Sequence, residues 1–189
     1  CHLGKLLFSI NNYPTEPLGP VMSAWDSTGL SPEDQPRFDY VNRDQIPEEL
    51  KEVFDSIVGS QRGVGTLSNG ALPGPFNGWM YTDPEMARAL DGIGMAVRSN
   101  TTNVPKTMKE VAICVIGAHF RSNVEFWAHS RIALAAGVRQ EVLDSIYNSE
   151  KPSFSDNGEE PFQRAAYDMA MEYLDGYRVS DETYQTVLD

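Results

Sequence analysis

Residues 106 to 137 hold two helical apolar patterns in immediate succession, and no stretch of the chain shows a useful β-alternation, so the sequence predicts an all-α fold. Thr107-x-x-Glu110 and Ser122-x-x-Glu125 both have capping-box spacing, in which a hydroxyl and a glutamate satisfy the free N–H groups that open a helix. Each stands ahead of an apolar run at helical spacing, which predicts helices over roughly 106–121 and 123–136. Gly137 comes next as a residue suited to the left-handed conformation that ends a helix.

The same signals extend to either side. Pro47 at a first helical turn, then Leu50, Val53, Phe54, Ile57 and Val58, predicts a short amphipathic helix ending near Gly59. Asp83-Pro84-Glu85 opens another, whose period runs through Met86, Leu90, Ile93, Gly94 and Val97. Further helices are expected over 138–147 and 161–174, the latter with Phe162, Ala165, Ala166, Met169, Ala170 and Tyr173 inward. A last one opens at Ser180-Asp181-Glu182 and reads as cut short at Asp189, giving a bundle of about six to seven helices. Residues 63–78 form a long Gly/Pro-rich loop whose aromatic side chains favour an ordered, functional segment. Residues 1–45 carry Pro14, Pro17, Pro20, Pro32 and Pro36 without a sustained apolar period. They read as an irregular arm that wraps the domain at 46–189 or a neighbouring subunit.

Charge narrows the partners. A net −12 over 189 residues argues against nucleic acid and anionic membranes, both of which need clustered Lys and Arg. No apolar run approaches the roughly 18 residues of a membrane span. Only Cys1 and Cys114 are present, so there is no disulfide framework, which fits a reducing, cytoplasmic setting. Cys114 sits in an apolar helical run and reads as a small buried hydrophobe.

Ser122, Glu125 and His129 share one face of the second central helix, with Glu110 on the helix before it. Imidazole titrates nearest neutrality, and a carboxylate one turn away can orient it and favour its charged form, which is what proton transfer needs. The rival reading is a buried histidine satisfied by Glu125, with Glu110 and Glu125 acting only as caps. Asn77, in the stretch Gly74-Pro75-Phe76-Asn77-Gly78-Trp79, is a polar amide in an aromatic loop and is suited to orienting a ligand. Phe76, Trp79 and Trp127 are core residues or the walls of an apolar chamber. Arg121 and Arg131 flank the stripe, with Arg131 a candidate clamp for a carboxylate. His119 is a surface histidine or a minor member of the site. A metal site is not expected, because Glu125-x-x-x-His129 supplies two ligands and zinc needs three or four. No glycine-rich phosphate loop or nucleotide fingerprint is present either.

Taken in order, Gly74–Trp79, Pro84-Glu85, Glu110, Glu125-Phe126-Trp127-Ala128-His129 and Ala135-Ala136-Gly137-Val138 resemble the carboxymuconolactone decarboxylase family, within the alkylhydroperoxidase D-like group. The resemblance covers roughly residues 70 to 180 and leaves the arm before residue 45 without a counterpart. It implies an alkylhydroperoxidase D-like helical bundle assembled as a trimer or hexamer, with sites near subunit contacts. Peroxidase members carry Cys-x-x-Cys where this chain has Ser122 and Glu125, and a hydroxyl with a carboxylate cannot form a disulfide or a sulfenic acid. The decarboxylase branch keeps a glutamate four residues before its histidine, as here. The resemblance therefore implies a cofactor-free lyase or isomerase acting on a small unsaturated lactone, carboxylate or polyketide-like metabolite. In it His129 is the general acid/base, held by Glu125 or Glu110, and Ser122, Asn77, Phe76, Trp79, Trp127, Arg131 and His119 surround the substrate. The two competing readings are an antioxidant peroxidase dependent on Cys114 and a non-catalytic ligand-binding protein on the same scaffold.

Overall fold

In a computed structural model, residues 38–59, 64–100 and 103–188 are described. The arm up to residue 37, with Cys1, lies outside them, as do Gly63 and Asp189. The described residues form eight α-helices and no strand, in line with the all-α expectation. They are α1 (Glu48–Gly59), α2 (Pro75–Trp79), α3 (Pro84–Met95), α4 (Lys106–His119), α5 (Asn123–Ala136), α6 (Gln140–Tyr147), α7 (Glu160–Gly176) and α8 (Asp181–Leu188). A π-helical segment, Ala96–Asn100, continues α3. None of these helices is long and apolar enough to cross a membrane.

Two apolar cores organise the chain. The larger lies among α4, α5, α6 and α7, where Val111, Cys114, Val115, Phe126, Ala133, Val142, Leu143 and Ala166 meet. Its axis is α4, which packs against α5, α6 and α7. Gly117 allows the closest approach, since a Cβ there would sit 3.2 Å from the backbone nitrogen of Phe126. The smaller core gathers Leu50, Val53, Phe54 and Ile57 of α1 with Leu72, Met80 and Ala87. Ser56 Oγ donates to the buried Asp91 carboxylate at 2.7 Å and joins α1 to α3.

The Gly/Pro-rich loop is less irregular than its composition predicts. It folds into α2, a helix of one turn that propensity alone does not reveal. Gly74 turns the chain at φ +54°, a conformation that a side chain resists, and Pro75 at the first helical position supplies a preset φ. The segment before α1 is also partly ordered: Asn42 and Gln45 form a capping box around a 3-10 turn, and Asn42 makes an isolated bridge to Ala71.

Both capping boxes expected for α4 and α5 are absent. Helix α4 starts at Lys106 behind Pro105, two residues before the start that a Thr107 cap would give, and the Thr107 hydroxyl instead donates to Glu159 at 2.6 Å. At α5, Ser122 occupies the N-cap without a side-chain bond, and its N–H goes to the Gly117 carbonyl at 2.8 Å. The turn from α4 to α5 is so short that the end of one helix satisfies the start of the next. Glu110 and Glu125 are thereby released from capping. Gly137 ends α5 in the left-handed conformation, at φ +106°.

Candidate functional site

Helices α4 and α5 carry the centre of the site, and the tight turn between them sets its geometry. Glu110 and His129 are both buried, and Glu110 Oε2 lies 2.6 Å from His129 Nδ1. Arg98 Nη2 is 2.6 Å from Nε2 and 3.3 Å from Nδ1. A carboxylate accepts and a guanidinium only donates, so Glu110 takes a hydrogen bond from Nδ1 while Arg98 covers the Nε2 end of the ring. The imidazole is held between the Glu110 carboxylate and the Arg98 guanidinium. Glu125, one turn before His129, places Oε1 3.3 Å from the same Nε2. Its side chain is 42% exposed against 7% for the histidine, so the Nε2 edge is the one that faces outward.

Arg98 is the member of the site that sequence reasoning does not find. It lies in the π-helical segment after α3, is half-buried, and is separated from His129 by 31 positions. Nothing in local composition marks it, because the pairing depends on how α3 ends. A π-turn adds a residue per turn and rotates the chain beyond it, and such segments recur at functional sites.

The remaining expected members are distributed differently. Asn77 is buried, but both ends of its amide are committed: Oδ1 accepts from Val41 N at 3.1 Å and Nδ2 donates to the Asp39 carbonyl at 3.1 Å. It ties down the chain before α1 rather than presenting a free group to a ligand. Phe76 and Trp79 pack edge to face, with centroids 4.8 Å apart, against the smaller core. The loop that carries them does reach α5, since a Cβ on Gly74 would come within 3.0 Å of Val124 Cγ1.

Trp127 and Arg131 stand two residues either side of His129, which turns them to the opposite face of α5. There the Arg131 guanidinium stacks on the Trp127 ring at 3.7 Å and donates to the Trp127 carbonyl at 3.2 Å. Desolvation lowers its pKa from the ordinary arginine value. Arg131 is therefore not the positive charge beside the imidazole; Arg98 is. His119 is exposed at the end of α4 and lies edge-on to Phe120, away from the buried ring, and Ser122 is exposed.

An apolar chamber walled by Phe76, Trp79 and Trp127 is not what these positions build. A groove of about 1000 Å³ lies between α7 and α8 and is lined by Met171, Glu172, Asp175, Asp181 and Thr183 among others. Cys114, one turn after Glu110, is buried, and burial together with Glu110 and Glu125 pushes its thiol pKa well above the ordinary range. Among the described residues no group of three or more His, Cys, Asp or Glu side chains is placed to hold a metal ion.

No family model matches the chain, and no curated protein or solved structure matches it.

Proposed function

We propose that this chain is a cofactor-free lyase or isomerase in which His129 moves a proton to or from a small unsaturated substrate, with decarboxylation of a lactone acid as the leading reaction. The observation that carries the reading is the Glu110–His129–Arg98 line, with Glu125 beside the outer ring nitrogen. A buried carboxylate that accepts from one imidazole nitrogen fixes the tautomer and leaves the other nitrogen as the reacting atom. In the decarboxylation the bond from the carboxylate carbon to the ring breaks and CO2 leaves. The electron pair passes into the lactone carbonyl as a dienolate. A proton that Nε2 has taken up from solvent then passes to that carbon, which balances the loss of CO2.

The reading extends the resemblance to carboxymuconolactone decarboxylases and their helical bundle, and the proposal includes assembly as a homo-oligomer. The apolar side chains exposed on α3 and past α4, Met86, Ile93 and Phe120, support such assembly. The peroxidase reading has little support, since a buried thiol with a raised pKa supplies almost no thiolate. The non-catalytic reading draws on the burial of His129 itself.

The test is turnover of a carboxylated unsaturated lactone in D2O. The expected result is CO2 release with one deuterium on the product carbon, slowed about 10²–10⁴-fold in a folded His129→Gln variant. Turnover by His129→Gln at the native rate would overturn the proposal.

A further inference from the structure

We propose that Arg98 is the substrate-carboxylate receptor of this site and that its move from His129 to the substrate arms the imidazole as an acid. The inference rests on the proton-transfer reading and adds to it the residue that receives the substrate carboxylate and a device that couples binding to protonation.

Three observations carry it. First, Arg98 is a half-buried guanidinium whose contact among the described residues is the His129 ring: Nη2 lies 2.6 Å from Nε2 and 3.3 Å from Nδ1. Among the described residues no carboxylate lies within ion-pair distance of it. A guanidinium offers five donors in a planar fork matched to a carboxylate, and among the described residues an imidazole takes up only part of that capacity. Second, Arg98 occupies the one ring nitrogen that chemistry can use, because Nδ1 is engaged by Glu110. As long as Arg98 donates to Nε2, that atom cannot carry a proton. Third, an acceptor for such a proton is already in position, since Glu125 Oε1 stands 3.3 Å from Nε2 on the more exposed side.

The exchange follows from these contacts. An incoming carboxylate draws the Arg98 fork onto itself and uncovers Nε2. The ring takes a proton from solvent and becomes an imidazolium flanked by Glu110 from α4 and Glu125 from α5, the charged groups that face it besides Arg98. That proton passes to the substrate carbon, the ring returns to neutral, and Arg98 can close on it again. A protein of net charge −12 repels anions at long range, which makes a local guanidinium necessary for such a ligand.

The experiment uses 15N-histidine-labelled protein at pH 7, with sodium benzoate as the anionic probe and benzamide as its neutral counterpart. In the free protein, long-range 1H–15N spectra are expected to show His129 protonated on Nδ1 and unprotonated on Nε2. Saturating benzoate should convert Nε2 to the protonated form, and benzamide should not. Arg98→Met should weaken benzoate binding about tenfold or more, and Arg98→Lys should restore part of it as a point charge. The wild-type spectra need no substitution, so poor folding of a variant leaves the test standing. Absence of benzoate binding, equal binding of benzamide, or undiminished binding by Arg98→Met would overturn the role of Arg98. None of these touches the proton-transfer reading, which is judged separately by deuterium incorporation in His129→Gln.

Discussion

The Glu110–His129 contact makes a prediction about stability that is independent of any substrate. The two side chains are 6% and 7% exposed, so solvent does not screen their interaction, and the 2.6 Å separation marks a short, charge-assisted hydrogen bond. His129→Leu leaves the Glu110 carboxylate buried without its donor, and breaking a buried pair from one side costs about 3–5 kcal/mol. Arg98, already 3.3 Å from Nδ1, can lean toward the vacated carboxylate, so the lower end of that range is expected. Glu110→Leu leaves a neutral ring N–H unsatisfied, which costs about 1–3 kcal/mol. The double variant replaces both polar groups by apolar ones of similar size, a change that is often close to neutral. The two single losses should then exceed the double by about 2 kcal/mol or more, a coupling typical of residues in direct contact. Urea unfolding at pH 7, followed by far-UV circular dichroism on all four proteins, measures the cycle. Additivity to within about 0.5 kcal/mol would refute the reasoning, because it would mean that the contact contributes nothing specific.

Three further outcomes are expected. Gly74→Ala should destabilise the protein by about 1–3 kcal/mol in thermal or urea melts, since the residue sits at φ +54° and the new Cβ would meet Val124 at 3.0 Å. Cys114 should resist iodoacetamide in the native protein and react only on unfolding, because burial raises its pKa; rapid native labelling of the Cys114 peptide in mass spectrometry would contradict this. Hydrogen bonds from Thr183, then Ser180, lower the pKa of Glu172 on α7, so the stabilisation it gives is present above the ordinary glutamate range and is lost as pH falls through its depressed folded value. Amide exchange in α8 should accelerate on acidification below about pH 4 relative to α7, and Glu172→Gln should remove that dependence.

Much of the scaffold is legible in the sequence. The paired helical patterns, Gly137 and the Asp83-Pro84 start all correspond to observed elements, because each is a local signal within a turn or two of what it specifies. The capping boxes mislead for a physical reason. Both motifs have the right spacing, but Pro105 shifts the start of α4, Glu159 takes the Thr107 hydroxyl, and the Gly117 carbonyl supplies what Ser122 N–H needs, so neighbouring turns and one distant contact override the motif. The site divides in the same way. Glu110, Glu125 and His129 come together because helical period and one short turn suffice to align them. Arg98 does not, since its approach depends on a π-turn that no propensity encodes. Asn77 shows the opposite failure: an amide in an aromatic loop carries a functional signature, yet here it secures backbone at Asp39 and Val41.

One contact at the imidazole joins segments anchored in the two cores. Arg98 is delivered by the continuation of α3, which belongs to the smaller core, whereas Glu110 and His129 are carried by the larger. The outer ring nitrogen is thus a sensor of how well the halves are seated. Loosening of α1 to α3, by heat, by denaturant or by a crowded neighbour, withdraws the guanidinium and alters the ring before the larger core gives way. Loss of the Arg98–His129 contact should therefore precede bulk unfolding, with the smaller half setting the temperature at which the buried ring is disturbed.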